Sequence, residues 1–188
     1  MERTVNILGI SGSLREASLN TALLRTAQAI AVNEGMAIDI TRLNGLPLYN
    51  EDDEKLGVPR SVVEFQAKVR EADAVLFATP EYNFSIPGVL KNAIDWLSRP
   101  PEQTITSGKP VAIMGAGGRL GTARAQYHLR QVCGCLSMNT VLRPEIFVIN
   151  AWEKLSPDGA IDDQTLKSQI SDMLRALKAL VLNLRAYD

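Results

Sequence analysis

The sequence predicts an α/β fold: a doubly wound, five-stranded parallel sheet with helices on both faces. Short apolar runs alternate along the chain with longer stretches in which apolar residues recur at helical spacing. Strands that are each followed by a helix favour parallel pairing. The expected strand order is 2-1-3-4-5, which places the first and third strands side by side.

Each of the five strands has its own signal. Most are short apolar runs, as expected of buried strands, whereas the second alternates apolar and polar residues, as an edge strand does. Pro144 lies within the fifth and cannot donate a ladder hydrogen bond, so we expect it to interrupt that strand. The predicted strands are Val5–Ile10, Met36–Leu43, Ala74–Ala78, Lys109–Met114 and Thr140–Ile149.

The helices are predicted from apolar stripes and from end signals. Gly35 ends the first helix, Pro87 suits the first turn of the third, and Asp162 or Asp163 caps the last. The polar segment 46–59 is predicted to be a loop. The predicted helices are Ser18–Glu34, one with apolar positions from Val62 to Ala72, Pro87–Ser98, Thr122–Leu136, and one with apolar positions from Leu166 to Leu184.

The composition predicts one cytoplasmic domain over residues 1–188, a length sufficient for a sizeable core. The net charge of −1 argues against nucleic acid as a partner. Val5–Ile10 is too short for a signal peptide, and no apolar run is long enough to span a membrane. Cys133, Cys135 and His128 are too few for a metal site, so we expect no metal.

The loop after the first predicted strand favours a phosphate. It runs from Gly12 to Asn20 and offers serine hydroxyls, an amide and the guanidinium of Arg15. It precedes a helix whose free N–H groups and dipole attract an anion, and arginine can bind a phosphate through two hydrogen bonds. The alternative is that Ser18 only caps the helix and that Arg15 is a solvated charge.

The loop after the third predicted strand, Thr79–Gly88, favours a flat ring. Its two prolines stiffen the backbone, whose polar groups can match the polar edge of an isoalloxazine. Tyr82 or Phe84 can cover part of the ring; the alternative is a rigid turn with Glu81 in solvent. Because ligands bind where the first and third strands end side by side, the two loops together predict flavin mononucleotide, FMN.

The stretch Gly115–Gly118 is predicted to be a third loop against the ring, since glycine allows close backbone approach; a plain turn is the alternative. It fails as a dinucleotide fingerprint because Leu120 stands where glycine is required and because it follows the fourth strand. A hydrolase is also disfavoured. Ser13 breaks the G-x-S-x-G pattern over residues 9–13, and His128 falls inside a predicted helix.

These motifs resemble those of the NAD(P)H-dependent FMN reductases, a flavodoxin-like family, and in particular its chromate and quinone reductase branch. The resemblance covers almost the whole chain. Its most specific part is the second loop, Thr79–Gly88, together with the predicted helix that follows it. The matching stretches are Gly12–Asn20, Pro80–Trp96 and Tyr127–Gln131.

The resemblance implies a flavodoxin-like fold, non-covalent FMN, and hydride transfer from NADPH or NADH through flavin N5 to an acceptor. The acceptor would be a quinone or a similar compound: chromate, an azo or nitro compound, or free flavin. No side chain is assigned as a general acid or base. The residues assigned to the FMN phosphate are Ser13, Arg15, Ser18 and Asn20. The full set of predicted cofactor-binding residues is Ser11, Ser13, Leu14, Arg15, Ser18, Leu19, Asn20, Pro80, Glu81, Tyr82, Asn83, Phe84, Gly115, Ala116 and Gly117.

The rival interpretation is a flavodoxin-type electron carrier without a substrate of its own. Such carriers are strongly acidic, which steers basic partners to them, and the net charge of −1 argues against one here. The favoured interpretation is therefore an enzyme that oxidises NAD(P)H itself.

A homo-oligomer, dimer or tetramer, is expected from the fourth predicted helix. One of its faces suffices to cover the sheet, and a second is uncharged where a solvated helix would carry charge. Arg124 and Arg130 flank this second face and are expected to pair with a carboxylate such as Glu145 across the boundary. The alternative is that Tyr127 packs under loops of its own chain. The second face consists of Ala123, Tyr127, Gln131 and Gly134.

Overall fold

The computed structural model describes residues 3–100, 105–156 and 163–186. Its strands are β1 Val5–Ser11, β2 Met36–Thr41, β3 Ala74–Ala78, β4 Pro110–Ala116, β5 Asn139–Thr140 and β6 Ile146–Val148. They form one parallel sheet in the order β2-β1-β3-β4-β5, and β6 pairs with the far end of β4. The predicted α/β fold and strand order are confirmed.

The predicted fifth strand is two strands. The β5 strand pairs with the start of β4, opposite Pro110 and Val111, whereas β6 pairs with its end, opposite Met114 to Ala116. Pro144 lies between them, at the interruption that its missing N–H predicts. This break sends the chain towards the carboxyl end of β4, where β6 supports the loop that follows β4.

Six α-helices are present in the described ranges: α1 Leu19–Asn33, α2 Glu51–Leu56, α3 Arg60–Glu71, α4 Gly88–Leu97, α5 Ala123–Cys135 and α6 Gln164–Arg185. Asp163 caps α6 by accepting a hydrogen bond from the Leu166 N–H at 3.0 Å; Asp162 lies outside the described residues. No helix in these ranges combines the length and apolar character needed to cross a bilayer.

The prediction that segment 46–59 is only a loop is wrong, because it contains α2. This helix buries none of its residues, so it carries no apolar stripe from which to predict it. Its stability comes from local signals: Asn50 accepts a hydrogen bond from the Asp52 N–H at 3.1 Å, and its first turn is wholly acidic. Asn92 of α4 anchors the segment through the Tyr49 N–H and the Pro47 carbonyl.

Helices cover both faces of the sheet, as predicted. On one face α1 and α6 bury an apolar cluster that includes Leu23 and Leu177. On the other face α3, α4 and α5 bury a second cluster that includes Leu90 and Leu129. The strands between them are almost wholly apolar, as a sheet buried on both sides requires.

The register of the strands brings three loops to one edge. Ser11 at the end of β1 is level with Ala78 at the end of β3, and Ala78 is level with Met114 near the end of β4. The loops that follow β1, β3 and β4 therefore meet at the carboxyl edge of the sheet, where open α/β sheets bind their ligands.

Candidate functional site

A cavity of about 390 Å³ opens where these three loops meet, a size common among small-molecule sites. The predicted residues that line it are Ser13, Arg15, Ser18, Leu19, Asn20, Pro80, Glu81, Tyr82, Ala116 and Gly117. The predicted residues outside its lining are Ser11, Leu14, Asn83, Phe84 and Gly115. Gly118, which belongs to the predicted third loop, lines it as well. The lining residues that the sequence did not indicate are Arg119, Leu120, Thr122, Arg124 and Trp152.

Gly12 allows the first and second loops to touch. Its N–H donates to the Ala78 carbonyl at 2.8 Å, which extends the pairing of β1 and β3 by one bond. A Cβ atom at this position would lie 3.1 Å from Thr79 Oγ1 and 3.2 Å from Pro80 Cδ. Because a larger residue would push the loops apart, Gly12 allows the first loop to approach the second closely.

The serines of the first loop divide into structural and cavity-lining groups. Ser11 is fully buried and its hydroxyl lies 2.9 Å from Thr21 Oγ1, so it fixes the loop from behind. Ser18 caps α1 by accepting a hydrogen bond from the Thr21 N–H, as the structural alternative foresaw, yet it also lines the cavity. Ser13 lines the cavity as well. Two hydroxyls, one of them the cap itself, therefore lie at the N-terminal turn of α1.

Asn20 joins the first loop to the end of β4. Its amide nitrogen donates to the Ala116 carbonyl at 2.9 Å, and its amide oxygen accepts from the Ala116 N–H at 2.9 Å. This two-bond clamp buries the side chain and holds the third loop against α1. The sequence suggested a phosphate ligand here; the geometry adds a role in shaping the cavity.

Arg15 is an exposed guanidinium at the cavity with no carboxylate partner among the described residues. Its neighbour Glu16 is held by Arg42 through two hydrogen bonds of 2.6 and 2.9 Å. These bonds lower the pKa of Glu16, and its charge is balanced by Arg42 rather than by Arg15. The first loop thus offers an unpaired positive charge beside a helix N-terminus, which suits a phosphate.

The second loop is a tight turn. Tyr82 and Ser85 exchange two backbone hydrogen bonds of 3.0 Å, and the two residues between them have positive φ, Asn83 at 49° and Phe84 at 69°. Positive φ is strained for a phenylalanine, and such strain clusters at functional sites. The turn directs Tyr82 to the cavity and leaves Phe84 outside it, 63% exposed, with the Arg124 guanidinium 3.6 Å from its ring centroid.

Glu81 is not solvated, contrary to the alternative weighed for this loop. Its carboxylate accepts hydrogen bonds from the N–H groups of Arg124 and Ala125, at 3.0 and 3.2 Å, and pairs with the Arg124 guanidinium. The carboxylate therefore caps the N-terminus of α5, where Thr122 makes no side-chain cap. A carboxylate thus already occupies the N-terminus of α5, whereas α1 has only the neutral cap of Ser18 and no acidic residue in its first turn.

Gly115 supports the third loop from behind. A Cβ atom there would lie 1.9 Å from Thr122 Oγ1 and 2.6 Å from the Thr79 carbonyl oxygen, so only glycine fits. Ala116 and Gly117 do line the cavity, as predicted. Trp152, which sequence analysis missed, reaches it from the segment after β6, and no local motif in the chain signals that long-range approach.

The only histidine of the sequence lies away from Ser11, the serine of the incomplete G-x-S-x-G pattern over residues 9–13. His128 Nδ1 lies 3.0 Å from Ser85 Oγ, on the rim of the second loop, whereas Ser11 is buried and bonded to Thr21. The rejection of an acyl-transfer site on the first loop therefore agrees with the geometry.

The second face of α5 is open in the single chain. Tyr127 is 49% exposed, and its ring centroid lies 6.1 Å from that of Phe147. Arg124 or Arg130 was expected to pair with Glu145 across a subunit boundary; within the single chain, all three side chains have other partners. Arg124 is bound to Glu81, Glu145 pairs with Arg143, and Arg130 donates to the Val141 carbonyl.

The geometry suits FMN in charge and in shape. The first loop contributes an unpaired guanidinium, two hydroxyls and the N-terminal turn of α1, which fit a phosphate. The second and third loops contribute a stiff turn with an aromatic side chain and close backbone, which fit a flat ring.

Comparison with known proteins identifies the family of the chain. The family model for NADPH-dependent FMN reductase matches residues 5–153. An NAD(P)H-dependent FMN reductase of Pseudomonas aeruginosa is 50% identical over 186 residues, which cover 98% of this chain and 100% of that protein. An NAD(P)H:quinone oxidoreductase of Solanum tuberosum is 43% identical over 187 residues, which cover 96% of this chain and 95% of that protein.

A solved structure also resembles that of this chain. The flavoenzyme NAD(P)H:(acceptor) oxidoreductase FerB of Paracoccus denitrificans superposes with a TM-score of 0.85 at 31% identity, covering 96% of this chain and 98% of that one. The predicted flavodoxin-like fold, FMN cofactor and NAD(P)H-dependent oxidoreductase class are confirmed. The chain belongs to the NADPH-dependent FMN reductase family.

Proposed function

We propose that this protein transfers a hydride from NAD(P)H through bound FMN to quinones. The observation that carries the proposal is one cavity that joins the N-terminal turn of α1, capped only by the neutral Ser18, and an unpaired arginine to a stiff aromatic turn. Bound FMN supplies the redox chemistry, because its ring can accept a hydride from one partner and deliver it to another. The protein supplies position and charge.

The phosphate is held by the first loop in this proposal. Arg15 and the hydroxyls of Ser13 and Ser18 donate to it, and the first turn of α1 adds backbone N–H groups. Two carboxylates that would repel a phosphate are neutralised: Glu16 by Arg42, and Glu81 by Arg124 and the α5 N-terminus. The site therefore presents net positive charge where the phosphate binds.

The ring would lie between the second loop and the third. Pro80 and Tyr82 of the second loop, and Ala116 and Gly117 of the third, line the cavity and would border it. The N–H groups of Ala116 and Gly117 are already bonded, to the Asn20 side chain and to the Val148 carbonyl, so these bonds would hold the loop in shape. No side chain is assigned as a general acid or base, because the flavin ring itself carries the hydride chemistry.

Quinones are the acceptors that the relatives support best. The Solanum tuberosum relative and one of Escherichia coli, 37% identical over 179 residues, are a quinone oxidoreductase and a quinone reductase by name. A planar quinone can stack on the ring that the open cavity leaves accessible. Chromate, azo and nitro compounds and free flavin belong to the same proposal as further acceptors that take electrons from the same ring.

We also propose a homo-oligomer, dimer or tetramer, with the second face of α5 in its interface. The exposure of Tyr127 and the absence of charge on that face support it. A cytoplasmic location and a single domain over residues 1–188 are part of the same proposal. Two free cysteines fit a reducing compartment, and helices on both faces share one sheet.

Steady-state kinetics test the proposal. One ring face holds one planar partner at a time, so double-reciprocal plots for NADPH at several quinone concentrations should be parallel. Intersecting lines would show a ternary complex and contradict a single shared face.

Mixing the yellow protein with NADPH or NADH in the absence of oxygen should bleach it, and a quinone should restore the colour. A protein that neither nucleotide bleaches is an electron carrier instead.

A further inference from the structure

The cavity contains one more unpaired cation than the FMN phosphate requires. Arg15 and Arg119 both line it, and neither has a carboxylate partner within residues 3–100, 105–156 and 163–186. Arg124, the third arginine of the lining, is bound to Glu81. Since FMN carries one phosphate and Arg15 lies on the phosphate loop, the charge of Arg119 is left for another anionic group.

Arg119 lies at the tip of a fixed turn. The Gly121 N–H donates to the Gly118 carbonyl at 3.1 Å, which closes a turn whose two central residues are Arg119 and Leu120. The Gly117 N–H donates to the Val148 carbonyl of β6 at 3.1 Å, so the base of this turn is anchored to the sheet. The backbone therefore presents Arg119 at a defined place on the cavity rim.

Trp152 is held beside the same turn. The Asn150 and Ala151 N–H groups donate to the carbonyls of Gly118 and Gly117, at 3.1 and 2.9 Å. A Cβ atom at Gly118 would lie 3.8 Å from Trp152 Cη2, so the indole packs over that glycine. Trp152 is nevertheless 63% exposed while lining the cavity. A large aromatic surface is thus fixed at the rim with most of its area open to a ligand.

We propose that Arg119 and Trp152 form the subsite for the hydride donor: Arg119 pairs with a phosphate of NAD(P)H, and Trp152 stacks on one of its planar rings. The inference rests on the proposed function, which brings that nucleotide to this cavity. A quinone has no phosphate to use the charge of Arg119, whereas NAD(P)H carries phosphates and two flat rings. The donor matches both features of the rim.

Two phosphate sources share this chemistry: the diphosphate that NADH and NADPH have in common, and the 2′-phosphate of NADPH alone. Binding of redox-inert probes to the FMN-loaded protein separates them. The probes are NADP⁺, NAD⁺ and 2′,5′-ADP, measured by isothermal titration calorimetry. Arg119→Gln should weaken NADP⁺ binding by about tenfold or more, as expected for a lost charge-assisted bond.

The pattern across the probes identifies the source. Loss for NADP⁺ and 2′,5′-ADP with NAD⁺ unchanged supports the 2′-phosphate, and equal loss for NADP⁺ and NAD⁺ supports the diphosphate. Arg60→Gln is the matched control, because Arg60 is exposed, pairs with Glu64 and lies outside the cavity; it should change none of these affinities. Unchanged binding of all probes in Arg119→Gln, or an equal loss of FMN affinity, would overturn the proposal.

Trp152 is tested by the same titrations. Trp152→Ala should weaken NADP⁺ binding about threefold to tenfold through lost stacking, and Trp152→Phe should retain most of it. Full affinity in Trp152→Ala would overturn the stacking role. These titrations require no turnover. Failure of the proposed activity would instead appear as no NAD(P)H oxidation by the unmodified FMN-loaded protein.

Discussion

Glu81 is a single residue that shapes the site by joining two distant elements, without taking part in the reaction. Its carboxylate joins the second loop to the N-terminus of α5, 43 positions further along the chain. The sequence identifies the loop but not this bond, because nothing local to Glu81 indicates which distant N–H groups it will meet. The same holds for Trp152, which β6 brings to a cavity formed mainly by earlier loops.

Glu81→Gln should destabilise the protein by about 1–2 kcal/mol, because it removes the charge that caps α5 and pairs with Arg124. Urea unfolding measures the free energy of unfolding. Glu64→Gln is the matched control, since Glu64 forms an exposed pair with Arg60 and should cost less than about 0.5 kcal/mol. Equal losses in the two variants would contradict the capping role of Glu81.

The two cysteines should differ in reactivity. Cys133 is buried, and burial raises its pKa to about 12, so its thiol stays neutral at pH 8 and the nucleophilic thiolate is scarce. Cys135 is exposed. Brief treatment of native protein with iodoacetamide at pH 8, followed by peptide mass spectrometry, should label Cys135 alone. In urea both should be labelled. Labelling of native Cys133 at the rate of Cys135 would show that its burial is incomplete.

At the scale of elements, the sequence predicts the sheet better than the connections. The β3 strand is found at its predicted bounds, because an apolar run buried on both faces has few alternatives. The short α2 was missed since it buries no residue and is stabilised by an asparagine cap and acidic first turn. The sequence predicts the loops at the cavity because they follow strands β1, β3 and β4. The hydrogen bonds between these loops depend on the packed fold, so the sequence does not predict them.

The junction of β4 with the third loop should not tolerate a Cβ atom. Gly115→Ala places one 1.9 Å from Thr122 Oγ1 and 2.6 Å from a backbone oxygen, so it should cost about 1–3 kcal/mol of stability and weaken FMN binding. Gly88→Ala is the matched control, because nothing lies within 4 Å of that Cβ position; its stability should change by less than about 0.5 kcal/mol. Thermal unfolding compares the two. A tolerated Gly115→Ala would contradict the tight junction.

For the molecule as a whole, we propose that the second, uncharged face of α5 forms the interface of the homo-oligomer. Tyr127→Asp places a charge at its centre and should lower the mass measured by light scattering from that of a dimer or tetramer, with looser FMN binding. Val63→Asp is the matched control, since Val63 is 50% exposed on α3 against 49% for Tyr127. A monomeric unmodified protein at micromolar concentration would refute the assembly outright.

FMN should bind with its phosphate on the first loop, and a comparison of FMN with riboflavin tests this placement. Riboflavin has the same ring but no phosphate. Arg15→Ala should weaken FMN binding about tenfold to a hundredfold, as expected for the loss of a charge-assisted contact, and leave riboflavin binding unchanged. Arg60→Ala, outside the cavity, should change neither. Equal weakening of FMN and riboflavin by Arg15→Ala, or no weakening of either, would contradict this placement.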